Sequence, residues 1–287
     1  MVPGETVQKA PVALVTGASS GIGLALLRAL VQNGFTTHAT YRRAEGKTII
    51  EQAGGHAWYL DVLDEKAGQL LMQQLEEHHG QLDLLIHNAG WGQMGPLLTL
   101  SETQLRAQHE LHVLAPHRLT RQALPLLRKS RDPVVVVMGS ISAVAPSPFA
   151  GAYCAAKAAV HAYSDVLRME LRPLGIEVVR IEPGAIASSF GATAMAGLDP
   201  ASLASDDYRP FAAGIRKRAG FSQRRATPAE ALAARVVAAL HQHPRPAIVR
   251  YGQGSRLLPL LRLLLPYRIY DRLLALVFGL TKTMESQ

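Results

Sequence analysis

The sequence is short of several things, and each shortage excludes a class. It has one cysteine, Cys154, among 287 residues, so no internal disulfide is available and a disulfide-stapled secreted fold is ruled out. No run reaches the ~18 uninterrupted apolar residues of a spanning helix, because Arg262, Pro266, Arg268, Asp271 and Arg272 break up the leucine-rich tail. Aromatic residues make up 6% of the chain and do not interleave with its basic residues, which argues against the stacking surfaces of RNA-binding modules. Residues Met1 to Gln8 carry no basic-then-apolar leader pattern, and a cytoplasmic location is expected. The pairs His78-His79 and His241-Gln242-His243 lack a carboxylate or cysteine partner at ligand spacing, so no metal is expected.

What is present points to a folded domain. A hydrophobic content of 48% suffices for a buried core and excludes disorder and collagen-like repetition. The net charge of +8 invites a polyanion, but apart from Arg216, Lys217, Arg218, Arg224 and Arg225 the basic residues are spread along the chain. Solvated surface is the reading preferred, with no nucleic-acid partner.

Short β-branched or aliphatic runs alternate with longer helical patterns: Val12 to Thr16, Thr36 to Thr40, His56 to Leu60, Leu82 to Ile86, Val134 to Met138 and Glu177 to Glu182. Several are apolar without period-two alternation, as in strands covered on both faces, so the fold class expected is α/β with a doubly wound parallel sheet. Ser101 with Gln104 reads as a capping box, and Thr227-Pro228 with Glu230 as a cap, an N1 proline and an N3 acid. A catalytic domain is expected over 9–250. Within it, residues 188–227 loosen into a long stretch rich in Ala, Gly, Ser and Arg, read as a substrate loop or lid. A further helix, a short run at Ala247 to Val249, and a Leu/Arg-rich extension over 251–287 close the chain.

Thr16-Gly17-Ala18-Ser19-Ser20-Gly21-Ile22-Gly23 follows the first strand and opens a helix, so backbone N–H groups and the helix dipole converge where a pyrophosphate would sit. The same glycines would also serve a bare strand-to-helix turn. No Gly-Lys-Ser/Thr follows, so this is no Walker loop. About 20 residues on, where a carboxylate would hold the ribose diol of NAD, stand Tyr41, Arg42 and Arg43. A guanidinium there forks onto a 2′-phosphate, and the cofactor expected is NADP(H).

Tyr153 and Lys157 are one helical turn apart with small residues between them. An ammonium beside a phenol favours the phenolate, which would make Tyr153 a usable acid or base. Ser140 stands at the end of the Val134 to Met138 run, where ligand-binding residues gather in open parallel sheets. The three are candidates to hold a carbonyl oxygen, protonate it and tune the proton donor.

Taken in order, these motifs resemble the short-chain dehydrogenase/reductase family, over Val12 to about Val249. The matching residues are 16–23, Asp61-Val62, Asn88-Ala89-Gly90, Ser140, Tyr153 with Lys157, and Pro183-Gly184. The resemblance implies a Rossmann-like fold in which Gly17, Ser19, Ser20, Gly21, Ile22 and Gly23 surround the phosphates and ribose. It further implies that Asp61 and Val62 touch adenine, that Asn88, Ala89 and Gly90 line the cofactor channel, and that Lys157 and Tyr153 adjoin the nicotinamide ribose. The backbone after Pro183-Gly184, through Ile186 and Ser188, would hold the carboxamide. The sequence departs from the family at His112, which stands where an asparagine usually anchors a water of the proton relay. Imidazole either takes that role, adding a titration near neutral pH, or packs without one.

Val144, Pro146, Phe149, Phe190, Met195 and Phe211 are candidates for the wall of a substrate cleft, which favours an apolar alcohol or carbonyl compound. The tail, which Pro259 and Pro266 would split into short helices, resembles extensions of family members acting on lipophilic steroids and retinoids. It either caps the substrate cleft, supports a homodimer or homotetramer interface, or lies peripherally on an anionic membrane, with plain packing on the domain as the default. The activity expected is NADP(H)-dependent interconversion of a secondary alcohol and a ketone or aldehyde. The alternative is an NADPH-sensing regulatory protein with little catalysis.

Overall fold

In the computed structural model, which describes residues 10–223 and 225–281, seven strands form one sheet: β1 (Val12–Val15), β2 (Thr36–Tyr41), β3 (His56–Tyr59), β4 (Leu84–His87), β5 (Val134–Met138), β6 (Glu177–Pro183) and β7 (Ile248–Tyr251). Met1 to Gln8 and Arg224 lie outside the described residues. The order is β3-β2-β1-β4-β5-β6-β7 and every pairing is parallel. The helices are α1 (Gly21–Gln32), α2 (Glu45–Gln52), α3 (Glu65–His79), α4 (Glu102–His109), α5 (Ala115–Leu127), α6 (Gly151–Leu171), α7 (Phe190–Ala196), α8 (Pro200–Ala204), α9 (Ala212–Gly220), α10 (Ala229–Leu240), α11 (Leu257–Leu264) and α12 (Tyr267–Phe278).

The apolar strands have two buried faces. Ala13, Val15, Val134, Val136, Val179 and Ile181 pack against α1, α2 and α10 through Leu26, Leu30, Ile50, Leu232 and Val236. Val12, Leu14, Val135, Val137 and Val178 turn the other way, onto α3, α5 and α6 through Leu71, Leu75, Leu119, Leu127 and Val160. Period-two geometry with apolar residues on both sides is what a doubly wound sheet requires. From β1 the chain winds outward through β2 and β3, then returns and runs through β4 to β7 on the other side. The reversal opens a crevice beyond the C-terminal ends of β1 and β4.

Three local expectations are corrected. The Ser101 capping box forms, with Ser101 Oγ accepting from Gln104 N at 3.2 Å, but Thr227 does not cap α10. Its backbone pairs with Ala185 and Ala187 and its hydroxyl accepts from Gln253 N at 3.1 Å, so Pro228 becomes the N-cap. Residues 188–227 are largely helical, supplying α7, α8 and α9. Pro259 does not split the tail, because it is the third residue of α11, where no intrahelical N–H partner is lost; Pro266 does, as the N-cap of α12.

The tail packs on α9. A Cβ at Gly214 would collide with the Phe278 carbonyl, the Lys217 ammonium donates to Val277 O at 2.5 Å, and the Phe221 and Phe278 rings meet at 5.4 Å. Its outer face is apolar and open, with Leu263 81% and Leu276 67% exposed. No described helix is long and apolar enough to cross a membrane.

His87, at the end of β4, is buried with its Nε2 2.8 Å from Thr120 Oγ1. Burial pushes its pKa down to about 3. A histidine neutral when folded but free to charge when unfolded contributes stability that is complete above the unfolded value near 6.5 and is lost as the pH falls toward 3. The loss is about 2 kcal/mol by pH 5. A plot of melting temperature between pH 7.5 and 5 is expected to be flatter for His87→Gln than for the parent; superimposable slopes would contradict the assignment.

Candidate active site

The glycine turn sits in the crevice because its neighbours leave no room for side chains. Gly17 and Gly21 have φ of +66° and +54°, in the left-handed region, and a Cβ at Gly17 would come within 2.9 Å of Ala89 Cα. At Gly23 a Cβ would strike the Gly17 carbonyl and lie 2.5 Å from Asn88 Nδ2. Asn88 is occupied as a brace: Nδ2 donates to Thr16 O at 2.9 Å and Gly17 O at 3.0 Å. From the other side Thr40 Oγ1 accepts from Gly17 N at 3.0 Å. No side chain caps the N-terminus of α1 and no acid stands in its first turn, leaving its first N–H groups to an anion.

This turn forms one end of a cleft of about 360 Å³. Of the cofactor candidates, Gly17, Ser19, Ser20, Gly21, Ile22, Gly23, Tyr41, Arg42, Arg43, Val62, Asn88, Ala89, Gly90 and Ser188 line it. Arg42 stands on the rim, 60% exposed at the side chain, with Nη1 3.6 Å from Asp61 Oδ2. Asp61 itself is absent from the wall, held by that pair and by the Leu63 N–H at 3.0 Å. Pro183, Gly184 and Ile186 do not line it either. Gly184 is pressed against the Gln253 backbone and Ile186 packs in the core. Thr40, Leu60, Trp91, Leu111, Ser189 and Thr193 complete the wall and were not anticipated. Ser189 reaches across the opening, its Oγ 3.1 Å from Ser20 Oγ.

Beyond the other end, α6 presents Tyr153, Lys157 and His161 at four-residue intervals, one below the next. The Tyr153 phenol is buried beside the Ser140 hydroxyl, which favours its ionised form. Ser140 Oγ accepts from Ser142 N at 3.1 Å. The backbone N–H of Ser140 donates to His161 Nε2 at 3.3 Å, so His161 turns Nδ1 toward Glu182, 3.6 Å away. Ser140 is thus fixed from behind by a buried chain that ends on the Glu182–Arg180 pair at 2.9 Å.

The ammonium does not tune the phenol as expected. Lys157 Nζ donates to the Met138 carbonyl at 2.6 Å and lies 5.9 Å from the centre of the Tyr153 ring. Burial dominates both groups, pushing Tyr153 up to about 12 and Lys157 down to about 7. At neutral pH the phenol is therefore a protonated donor, its ionisation eased by the neighbouring Ser140 hydroxyl.

His112 is buried in a π-helical turn, Glu110–Leu114, between α4 and α5. Nε2 donates to Trp91 O across 2.9 Å, and the ring meets Tyr153 edge-on at 5.6 Å. Burial first, then the Lys157 charge, holds its pKa well below the ordinary value. Of the two readings of His112, the one with a titration near neutral pH does not fit, because the buried imidazole is held neutral with its Nε2–H on Trp91 O.

Among the substrate candidates, Phe190 lies against Tyr153 at 5.3 Å between ring centres and also lines the cleft. Val144 and Met195 are solvent-facing, at 36% and 39% exposure. Pro146 gives its carbonyl to the Tyr270 hydroxyl at 3.3 Å. Phe149 and Phe211 join Ile215 and Phe278 in the core between α9 and the tail rather than the cleft wall. Cys154 is buried in the apolar cluster around Tyr153. His243 does find carboxylates through space, near Asp132 and Glu177, but both are bonded to the Arg245 guanidinium, a cation already seated where a metal would go.

A family model described as short chain dehydrogenase matches residues 11–198. A short-chain dehydrogenase of Pyricularia oryzae is 32% identical over 281 residues, covering 96% of this chain and 97% of that protein. An NADPH-dependent 3-dehydrocapnine reductase of Ornithobacterium rhinotracheale is 32% identical over 230 residues, 77% of this chain and 81% of its own. Among solved structures, a short-chain dehydrogenase from Streptomyces avermitilis superimposes with a TM-score of 0.74 at 30% identity, covering 90% of this chain and 93% of that one.

Proposed function

The chain belongs to the short chain dehydrogenase family, and from that membership we propose that it is an NADP(H)-dependent oxidoreductase that interconverts a carbonyl compound and its alcohol. The observation that carries the reading is the buried Tyr153 phenol, beside Ser140 and one helical turn from Lys157, next to a glycine-walled cleft. The cleft fits a dinucleotide: glycines stand where any Cβ would collide, and uncapped helix N–H groups face the opening. NADPH, when bound, supplies the hydride.

The residues do the rest. Ser140, its backbone fixed by His161, donates a hydrogen bond to the carbonyl oxygen. Tyr153, protonated at neutral pH, gives its proton to that oxygen as the alcohol forms, and takes it back in the oxidising direction. To Lys157, whose pKa burial brings down to about 7 on the Met138 carbonyl, we assign the return of a proton to the phenolate. His112 holds the phenol ring edge-on. Screening a panel of ketones and aldehydes for NADPH oxidation tests the reading; saturable NADPH binding with no turnover of any carbonyl compound would overturn it.

Arg42 and Arg43 on the rim favour the 2′-phosphate, in keeping with the NADPH dependence that the Ornithobacterium relative is named for. Arg42→Ala is expected to raise the KM for NADPH about ten-fold, as the loss of one exposed charge-assisted contact implies, and to leave that for NADH nearly unchanged. Equal changes for both nucleotides would remove the 2′-phosphate role.

A further inference from the structure

Arg218 is a cation the fold does not neutralise. It stands on α9, directly before Ala219 of the apolar cluster that also holds Met94, Tyr153, Cys154 and Ala194. The side chain is buried, and Nε donates to Ser147 Oγ at 2.6 Å. Ser147 belongs to the loop between Ser140 and α6, so the guanidinium is held against the same loop that positions the proton donor.

The molecule's other buried arginines show how it treats a charge of its own. Arg180 lies on Glu182 and Asp165, each at 2.9 Å, and Arg245 lies between Asp132 and Glu177. No ion pair among the described residues includes Arg218. Its titratable neighbours, the Tyr153 phenol and the Cys154 thiol, are both pushed up by burial and are neutral at pH 7. A guanidinium cannot shed its proton, and an enclosed charge without a counter-charge is costly to a fold. A clamp on a serine hydroxyl needs no charge, since a glutamine or asparagine donor would serve.

We propose that Arg218 is an anion-binding residue of the substrate pocket, so that the carbonyl compound carries an oxyanion, of carboxylate type, on an otherwise apolar body. Phe190, which lines the cleft and lies on Tyr153, and the partly buried Leu198 receive that body, and the planar fork receives the charge. This rests on the reductase reading above, and it narrows the expected substrate from apolar to amphipathic.

The test uses the full chain with NADPH and a series of aliphatic keto acids of increasing carbonyl-to-carboxylate spacing, each paired with its methyl ester. The parent is expected to prefer at least one acid over its ester by about ten-fold or more in kcat/KM, the scale of a bidentate charged contact, and Arg218→Met to bring that ratio close to one. Arg218→Lys, which keeps the charge and loses the fork, should keep part of the preference and carries the test if the methionine variant does not fold. Esters equal to acids at every spacing, or variants that lower both members of a pair alike, would overturn the proposal. If no carbonyl compound is reduced, the reductase reading fails, and binding decides the anion site. Decanoate, and not decanol, should raise the melting temperature of the NADP-bound parent and not of the variant. Equal shifts for the two ligands would overturn it.

Discussion

Replacing Tyr153 with phenylalanine is expected to lower kcat about a thousand-fold while leaving NADPH binding intact. The size follows from general acid catalysis, which contributes roughly 10²–10⁴ in rate where one group delivers the proton. Only the hydroxyl is lost: the ring stays wedged between His112 at 5.6 Å and Phe190 at 5.3 Å, and the phenol is no part of the cleft wall around the glycine turn. Stability should change little, because the Ser140 hydroxyl keeps its contact with Ser142 N. Single-turnover kinetics with a reducible carbonyl compound, beside NADPH fluorescence titration, separates the two effects. Retention of a tenth or more of the parental rate, on the order of what a bystander would allow, would take the proton-donor role from Tyr153.

Gly23→Ala should cost about 3 kcal/mol of stability and remove most of the affinity for NADPH. Two effects oppose each other at this position, which lies inside α1. Alanine is the better helix former by about 1 kcal/mol. Against that, the new methyl would overlap the Gly17 carbonyl and lie 2.5 Å from Asn88 Nδ2, and neither can retreat, since Asn88 is bonded to both Thr16 O and Gly17 O. Overpacking against fixed backbone costs ~1–3 kcal/mol and more where nothing yields, so the collision wins. It also displaces the turn whose N–H groups face the cleft. Urea unfolding and nucleotide titration measure the two losses; a variant as stable as the parent would show that the turn has slack which these contacts deny.

The parts of this molecule legible in its sequence are those dictated by local chemistry. Runs such as Val134 to Met138 are apolar at every position because both sheet faces are covered, and they read as parallel strands at once. Gly17, Gly21 and Gly23 announce a tight approach, and Tyr153 with Lys157 need only the helical period to be placed together. What escaped depends on contacts between segments distant in the chain. That Thr227 spends its hydroxyl on Gln253 is invisible from the cap motif it imitates. Phe149 looks like cleft lining until the tail folds over it. The proton affinity of Tyr153 is not legible in its spacing from Lys157, which gives charge proximity but not burial, and burial is the larger effect here. Arg218 sat in a run of basic residues that composition assigns to the surface.

The bare backbone at position 214 lets two helices touch main chain to main chain. Nothing compressible lies between them, so their spacing is a fixed dimension. Residues 212–220 and 267–278 are thus coupled through bare main chain, and because Ala219 packs in the cluster that holds Tyr153, displacing α9 there would displace α12 with it.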